Sequence, residues 1–303
     1  MFDEIAGTDT AREIGTVRSL SNQSEPVQDQ PVGRRADLQA FTLLHARRIS
    51  RMIPYLIVQI GTIYLILQAY SLVRRSIWQR SSTVAFAHAL QVIDFQRALW
   101  LPVERVELPL QRFALEHDWI IDFFNAYYRN VKPAVFLAAG LSVIFAPAGF
   151  RRVRRLFLWA TIVALPWFAL YPLAPPRFMA PYGYEFIDTL TVVGGTVSKS
   201  GGLAGANQYA AMPSMHIGWS IVAAAWIAVA VPWMRIGTVI GVTHVMLMGL
   251  AVMATGNHFW LDIVGGLAVI AAAIGLDRVA SRWLGAVRPS PVRMAFGRES
   301  GWG

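Results

Sequence analysis

Apolar residues dominate six stretches of the chain, and polar or charged residues separate each stretch from the next. A helix needs about 20 mostly apolar residues to cross a bilayer. The pattern therefore predicts an all-α, polytopic membrane protein built as a bundle of six transmembrane helices. The predicted spans are residues 52–73, 131–148, 156–173, 213–231, 236–254 and 260–276.

A longer segment, residues 83–130, separates the first two spans and mixes acidic residues with Leu, Trp and Phe. This amphipathic composition predicts an interfacial helical loop that lies along the membrane surface rather than crossing it. Four aromatic residues near its end are typical of the belt at a membrane boundary. They are Phe123, Phe124, Tyr127 and Tyr128.

Composition agrees with a membrane protein. Only 15 % of the residues are charged, against about 25 % in soluble domains. The net charge of +9 comes almost wholly from arginine, since Lys132 and Lys199 are the only lysines. Because the arginines cluster beside apolar runs, we expect them to contact anionic lipid headgroups rather than nucleic acid. The chain has no cysteine, which excludes disulfides, thiolate catalysis and Cys-ligated metals.

The arginines also predict an orientation. Four groups fall on one side of the membrane if six helices alternate, and the positive-inside rule makes that side cytoplasmic. The expected protein is a multi-pass plasma membrane protein with both termini in the cytoplasm. Arg74, Arg75 and Arg80 fall on the other side and count against this orientation. The four groups are Arg47, Arg48 and Arg51; Arg151, Arg152, Arg154 and Arg155; Arg235; and Arg278, Arg282, Arg288 and Arg293.

Two predicted spans open with residues suited to catalysis. Residues 211–216 open the fourth span, with Pro213 expected at the first helical position. The free N–H groups of that turn favour an anion, and Ser214 and His216 add a hydroxyl donor and a titratable imidazole. Ionisable residues at such positions are costly, so they are functional candidates.

Residues 255–262 open the sixth span on the same, outer side. We expect Gly256 to allow a turn and Asn257 to cap the helix. His258 and Asp262 are four apart, so they lie on one helix face within hydrogen-bond reach. A carboxylate that accepts from one ring nitrogen presents the other as a base or nucleophile.

Arg177 follows two prolines just past the outer end of the third span. Its guanidinium offers two parallel N–H donors to a phosphate group. A phosphate between His216 and His258 would then meet two helix N-termini and one cation. The residues alone therefore predict an extracytoplasmic phosphate site.

These motifs resemble the type-2 phosphatidic acid phosphatase superfamily. The matching pieces are Pro-Pro-Arg177, Pro-Ser-Met-His216 and His258-x-x-x-Asp262. Within this superfamily, the sequences of residues 207–216 and 255–262 look closer to the inositol phosphorylceramide synthase-like branch. The resemblance covers roughly residues 131–279.

The resemblance implies a role for each matching residue. His258 would attack phosphorus and form a phosphohistidine, and Asp262 would orient it. His216 would protonate the leaving oxygen and then activate the acceptor, while Arg177 and Ser214 would hold phosphate oxygens. The substrate would be a phospholipid or other lipid phosphate ester, with no metal or cofactor needed.

The domain organisation follows from the spans and the resemblance together. Residues 1–45 are predicted to be a disordered cytoplasmic tail, and residues 46–130 hold the first span and the interfacial segment. Residues 131–280 form the catalytic transmembrane core, and residues 281–303 a basic cytoplasmic tail.

Two positions depart from the phosphatase pattern. Leu170 stands where that pattern has a lysine, and Ala251-Val252 stand where it has Ser-Arg. The synthase-like branch also lacks these cations, which favours phosphotransfer over simple hydrolysis. Lys199 is one candidate for a replacement cation.

Several alternatives remain open at this stage. The enzyme alternative is a simple lipid phosphate or polyprenyl diphosphate phosphatase, and the alternative from another class is a non-catalytic lipid transporter or scaffold. His216, His258 and Asp262 would also suit zinc, although the usual ligand spacings are missing. Structural readings are a helix-locking His258–Asp262 pair, a headgroup-anchoring Arg177 and a capping Ser214. Loop structure is the expected role of Asp188, Gln208, Tyr209 and Asn257.

Overall fold

Helices make up nearly all the regular structure in the computed structural model, which describes residues 53–74, 82–192, 207–231 and 233–287. Within these ranges there is no strand, and a single isolated parallel bridge joins Leu173 to Ala210. The helices are α1 Ile53–Arg74, α2 Ser82–Ala98, α3 Glu107–Leu115, α4 Asp118–Arg129, α5 Val131–Phe145, α6 Pro147–Leu170, α7 Thr189–Val192, α8 Met215–Ala230, α9 Met234–Ala254 and α10 Trp260–Val287. Two short 3-10 turns, Pro176–Phe178 and Ala180–Tyr182, precede α7.

Four of these helices are long and apolar enough to cross a membrane. They correspond to α1, α6, α9 and most of α10. The prediction of an all-α, membrane-embedded protein is therefore confirmed. The other two predicted spans, α5 and α8, are apolar but have only 15 and 16 residues. At about 1.5 Å per residue they are shorter than the ~30 Å hydrocarbon core, so the count of six stays a prediction.

The start of α6 differs from the predicted boundary at residue 156. The helix begins at Pro147, so the arginines of residues 151–155 lie in its first turns and not in a link. Basic side chains interrupt an apolar pattern, but arginine is a good helix former. These arginines join helices instead: Arg155 pairs with Asp277 of α10 at 2.8 Å, and Arg154 donates to Gln59 of α1.

The predicted amphipathic segment is helical and forms α2, α3 and α4. Only Asn130 separates α4 from α5. Ala114 of α3 and Ile121 and Phe124 of α4 pack against Ala251 and Ala254 near the end of α9. Helices α3 and α4 therefore pack into the folded core of the protein.

The main core lies between α1, α5, α6, α8, α9 and α10. Trp226 of α8 is fully buried and stacks on Phe150 of α6, with ring centroids 5.6 Å apart. Tyr70 of α1 meets Trp219 of α8 edge to face at 5.1 Å. The contact between Tyr70 and Trp219 brings the end of α1 beside the first turns of α8, and this end of the bundle is the site end.

Several predicted segments and residues lie partly or wholly outside the part of the chain that the structure describes. The predicted N-terminal tail, Lys199, Arg75 and Arg80 fall there, as do Arg288 and Arg293. At the other end, α10 continues to Val287, beyond residue 276 where the predicted sixth span stops.

Candidate active site

His258 is held by Asp262 at the start of α10. Its Nδ1 lies 3.2 Å from Asp262 Oδ2, and both side chains are buried. The same carboxylate oxygen accepts the backbone N–H of Phe259 at 2.9 Å. Asp262 thus closes the first turn of its own helix in the manner of a capping box. Because Nδ1 faces the carboxylate, the lone pair of His258 is presented on Nε2.

His216 faces His258 from the first turn of α8. The two ring centroids are 5.6 Å apart, with ring planes at 60°. Tyr128, at the end of α4, stacks on the His216 ring with centroids 4.0 Å apart. The sequence-predicted histidines therefore come together, and an aromatic ring fixes the orientation of one of them.

The starts of α8 and α10 are joined directly, because the backbone N–H of Ser214 donates to the carbonyl of Asp262 at 2.9 Å. Helix α8 begins at Met215 with Ser214 as its N-cap residue. The expectation that Pro213 occupies the first helical position is wrong, since this bond to α10 holds residue 214 in an extended conformation. The Ser214 hydroxyl makes no cap hydrogen bond and has no partner among the described residues.

Arg177 reaches the site from the loop after α6. Its backbone N–H donates to the Gly256 carbonyl at 2.8 Å, and its guanidinium donates to the side chain of Asn257. Asp188 forms an ion pair with its Nε at 3.4 Å. The Arg177 side chain is only 7 % exposed. Burial lowers the pKa of Arg177, opposed by Tyr128 and Asp188, yet an arginine stays protonated.

Asn257 does not cap α10, contrary to the sequence expectation. The helix begins three residues later, at Trp260. The Asn257 amide instead donates to the Thr255 hydroxyl at 2.8 Å and its oxygen accepts from Arg177. The side chain is thus already engaged in the turn between α9 and α10, where it positions the cation.

Gly256 does form the predicted turn, with a φ of +66°. A Cβ there would lie 2.9 Å from the side-chain nitrogen of Gln111 and 3.2 Å from the Ile187 carbonyl. Gln111 of α3 donates to the carbonyl of Ala254 at 3.2 Å. Helix α3 therefore supports the turn that carries His258.

A family model described as the PAP2 superfamily matches residues 90–276, more than half of the chain. The chain belongs to the PAP2 superfamily. No curated protein and no solved structure matched it.

Membership in the PAP2 superfamily supports phosphatase-type chemistry, as a phosphatase or phosphotransferase acting on lipid phosphates. The match begins at residue 90, about 40 residues before the segment that carries the motif resemblance. Helices α3 and α4 therefore lie within the family segment. This agrees with the contacts of Gln111 and Tyr128 at the site.

Sequence reasoning missed three residues around this candidate site. Tyr128 was interpreted only as part of an aromatic belt. Glu107 of α3 accepts the backbone N–H of Trp260 at 2.8 Å and so caps α10 from another helix. Arg74 was assigned only as a charge on the unexpected side, but its guanidinium donates to the Asn207 carbonyl beside the start of α8 at 2.9 Å. No local spacing could have revealed these long-range contacts.

His244 and Tyr209 form hydrogen bonds with residues other than the two imidazoles. The His244 side chain forms a hydrogen bond with the Tyr127 hydroxyl at 2.6 Å. The Tyr209 carbonyl accepts the Leu173 N–H at 2.6 Å, a structural role. In the described part of the chain, no three acidic or histidine side chains are arranged to hold a metal ion.

Proposed function

We propose that this chain transfers a phosphoryl or phospho-alcohol group from a lipid donor through a phosphohistidine on His258, as the inositol phosphorylceramide synthase-like branch would. One observation carries the proposal. Two imidazoles from different helices face each other at 5.6 Å, and a buried carboxylate orients one of them. A tetrahedral phosphorus between them would meet a nucleophile on one side and a proton donor on the other.

In the first half-reaction, Nε2 of neutral His258 attacks phosphorus as the bond to the leaving oxygen breaks. His216 donates its proton to that oxygen, so the released alcohol is neutral. Asp262 stabilises the positive charge that develops on the His258 ring. Phosphorus remains bonded to Nε2, and His216 is left as a neutral base.

In the second half-reaction, His216 takes the proton of an acceptor hydroxyl while the acceptor oxygen attacks phosphorus. The P–N bond breaks and its electron pair returns to His258. Both histidines then have their starting protonation states. Water as acceptor gives hydrolysis, and a lipid hydroxyl gives a new phosphodiester or phosphomonoester.

Two groups are proposed to bind the phosphate oxygens. Arg177 brings a buried positive charge, and Ser214 brings a hydroxyl that has no other partner among the described residues. Charge of this kind is the main requirement of phosphoryl transfer. Because the lysine and arginine of the simple phosphatases are absent at Leu170 and Val252, we favour a lipid hydroxyl as the acceptor.

The membrane arrangement remains part of the proposal. We propose that α5 and α8 complete a six-helix bundle with the four long helices, with both termini in the cytoplasm. The catalytic core spans residues 131–280, and its site faces the extracytoplasmic side of the plasma membrane. The termini of α1, α6, α8 and α10 that meet at the site support a common membrane face for these residues.

The direct test uses purified protein and labelled phosphatidate or phospholipid. We expect His258→Ala and His216→Ala to lose at least about 10³-fold in kcat. His117→Ala is the matched control, because His117 is exposed in the interfacial segment, and it should retain wild-type turnover. Equal turnover in all four proteins would remove the enzymatic proposal and favour a transporter or scaffold. Inorganic phosphate as product identifies a phosphatase, and a new phospholipid identifies a transferase.

A further inference from the structure

We propose that Arg74 binds the substrate phosphate as a second guanidinium beside Arg177. Helix α1 lies outside the family-matched residues 90–276, so this chain would complete its site with a group that the family segment does not contain. The inference rests on the proposed function, because it assigns a further ligand to the same phosphate.

Arg74 is anchored at the site end by two direct contacts. Its Nη2 donates to the Asn207 carbonyl at 2.9 Å, and its guanidinium carbon lies 5.7 Å from the ring centroid of Phe168. Tyr70, one turn earlier on α1, packs edge to face on Phe168 at 6.1 Å. These contacts hold the head group between the end of α6 and the start of α8.

The guanidinium also has donor capacity left. Its Nε is buried and has no hydrogen-bond partner among the described residues. No carboxylate in this part of the chain lies within ion-pair distance of it. Buried donors are almost always satisfied in folded proteins, and an anion would satisfy this one.

The charge of Arg74 acts on the groups that surround the proposed phosphate. The positive charges of Arg74, Lys132 and Arg177 all lie close enough to act electrostatically on the His216 imidazole. Burial raises the pKa of Tyr128, and the positive charges of Arg177 and Arg74 oppose this rise. Two guanidinium groups near one another repel unless an anion lies between them. The Asp188 carboxylate compensates Arg177 alone, so a phosphate is the missing partner of the pair.

The position of Arg74 also matches the missing cation. Leu170, where the phosphatase pattern has lysine, is 76 % exposed and faces away from the core. Phe168 lies in the same last turn of α6 and contacts the Arg74 guanidinium. Position 170 therefore points away from the site, and Arg74 of α1 brings a positive charge to the end of α6 instead.

The test measures phosphate affinity with orthovanadate as the probe. We expect Arg74→Gln to weaken vanadate inhibition and to lower kcat/KM by roughly 10- to 100-fold, the range for one hydrogen bond to a charged group. Arg74→Lys keeps the positive charge but loses the paired N–H donors of the guanidinium. Its vanadate inhibition and its kcat/KM should lie between those of Arg74→Gln and wild type. Arg235→Gln is the matched control, since Arg235 is exposed at the opposite end of α9.

A second measurement does not depend on a folded variant. Phenylglyoxal modification of the wild-type protein is mapped by mass spectrometry with and without vanadate. Vanadate should slow the modification of Arg74 and leave that of Arg235 unchanged. Unslowed modification of Arg74, or wild-type vanadate affinity in a folded Arg74→Gln protein, overturns the inference. If His258→Ala retains full turnover, the proposed function itself fails. If His258→Ala loses turnover but Arg74→Gln retains it in full, only the inference about Arg74 fails.

Discussion

Gly266, one turn into α10 beyond Asp262, gives the most informative single perturbation. A Cβ at this residue would lie 2.6 Å from the Ser214 carbonyl oxygen and 3.2 Å from Cβ of Ile217. Ser214 is the N-cap residue of α8, and its carbonyl accepts the first hydrogen bond of that helix, from Gly218. Gly266→Ala would therefore push α8 and α10 apart close to both histidines.

The size of the effect follows from the distances. Ordinary contacts of a Cβ begin at 3.4 Å, so the 2.6 Å approach is about 0.8 Å too short. A misplacement near 1 Å costs about 10²-fold in rate. Because the displaced atoms lie within a few residues of His216 and Asp262, we expect kcat/KM to fall by about 10- to 100-fold. The same overpacking should cost about 1–3 kcal/mol of stability.

The assay is lipid phosphate turnover in detergent micelles, with thermal unfolding measured in parallel. Gly275→Ala is the matched control, because Gly275 is on the same helix and a Cβ there would have no neighbour within 4 Å. The control should keep wild-type activity and stability. If Gly266→Ala turned over substrate at the wild-type rate, the close approach of the two helices would not position the site.

Three further predictions concern side chains. Asp262→Asn should lower kcat by about 10³–10⁴-fold with little change in KM, because the amide no longer fixes the tautomer of His258; pre-steady-state kinetics with one lipid phosphate checks this. Arg177→Lys should raise the inhibition constant for vanadate about 10-fold or more, since lysine cannot reproduce the fork that binds Asn257 and phosphate; unchanged inhibition would contradict the phosphate contact. Burial raises the pKa of Glu107 above its usual 4.5. Protonated Glu107 therefore stabilises the folded state fully below the pKa that this group has in the unfolded chain. That stabilisation is lost as pH rises through the pKa of Glu107 in the folded state. Glu107→Gln keeps an acceptor for Trp260 and has no charge to bury, so its Tm should fall less than that of the wild type as pH rises from about 4 to about 8.

The sequence was sufficient where the signal is local. Apolar runs of about 20 residues predict α1, α9 and α10 because the hydrocarbon core imposes that length. The four-residue spacing of His258 and Asp262 predicts their contact because one helical turn brings such residues together. The structure has this contact even though His258 precedes the first helical residue, Trp260.

The sequence was insufficient where tertiary contacts override local preferences. Pro213 is suited to a first helical position, yet the bond from Ser214 to Asp262 delays the start of α8. Asn257 is suited to a cap, yet Arg177 and Thr255 use its amide. Arg74 is 133 residues from Asn207, the carbonyl that it binds. Contacts of this range follow from helix packing, which no single-sequence pattern contains.

The most direct test of the account is to look for the covalent intermediate. Protein mixed with a radiolabelled lipid phosphate is quenched within one turnover, and the labelled peptide is mapped. The account predicts an acid-labile, alkali-stable label on His258 in the wild type and no label in His258→Ala. Normal turnover without any label on His258, or a label on another residue, would contradict it.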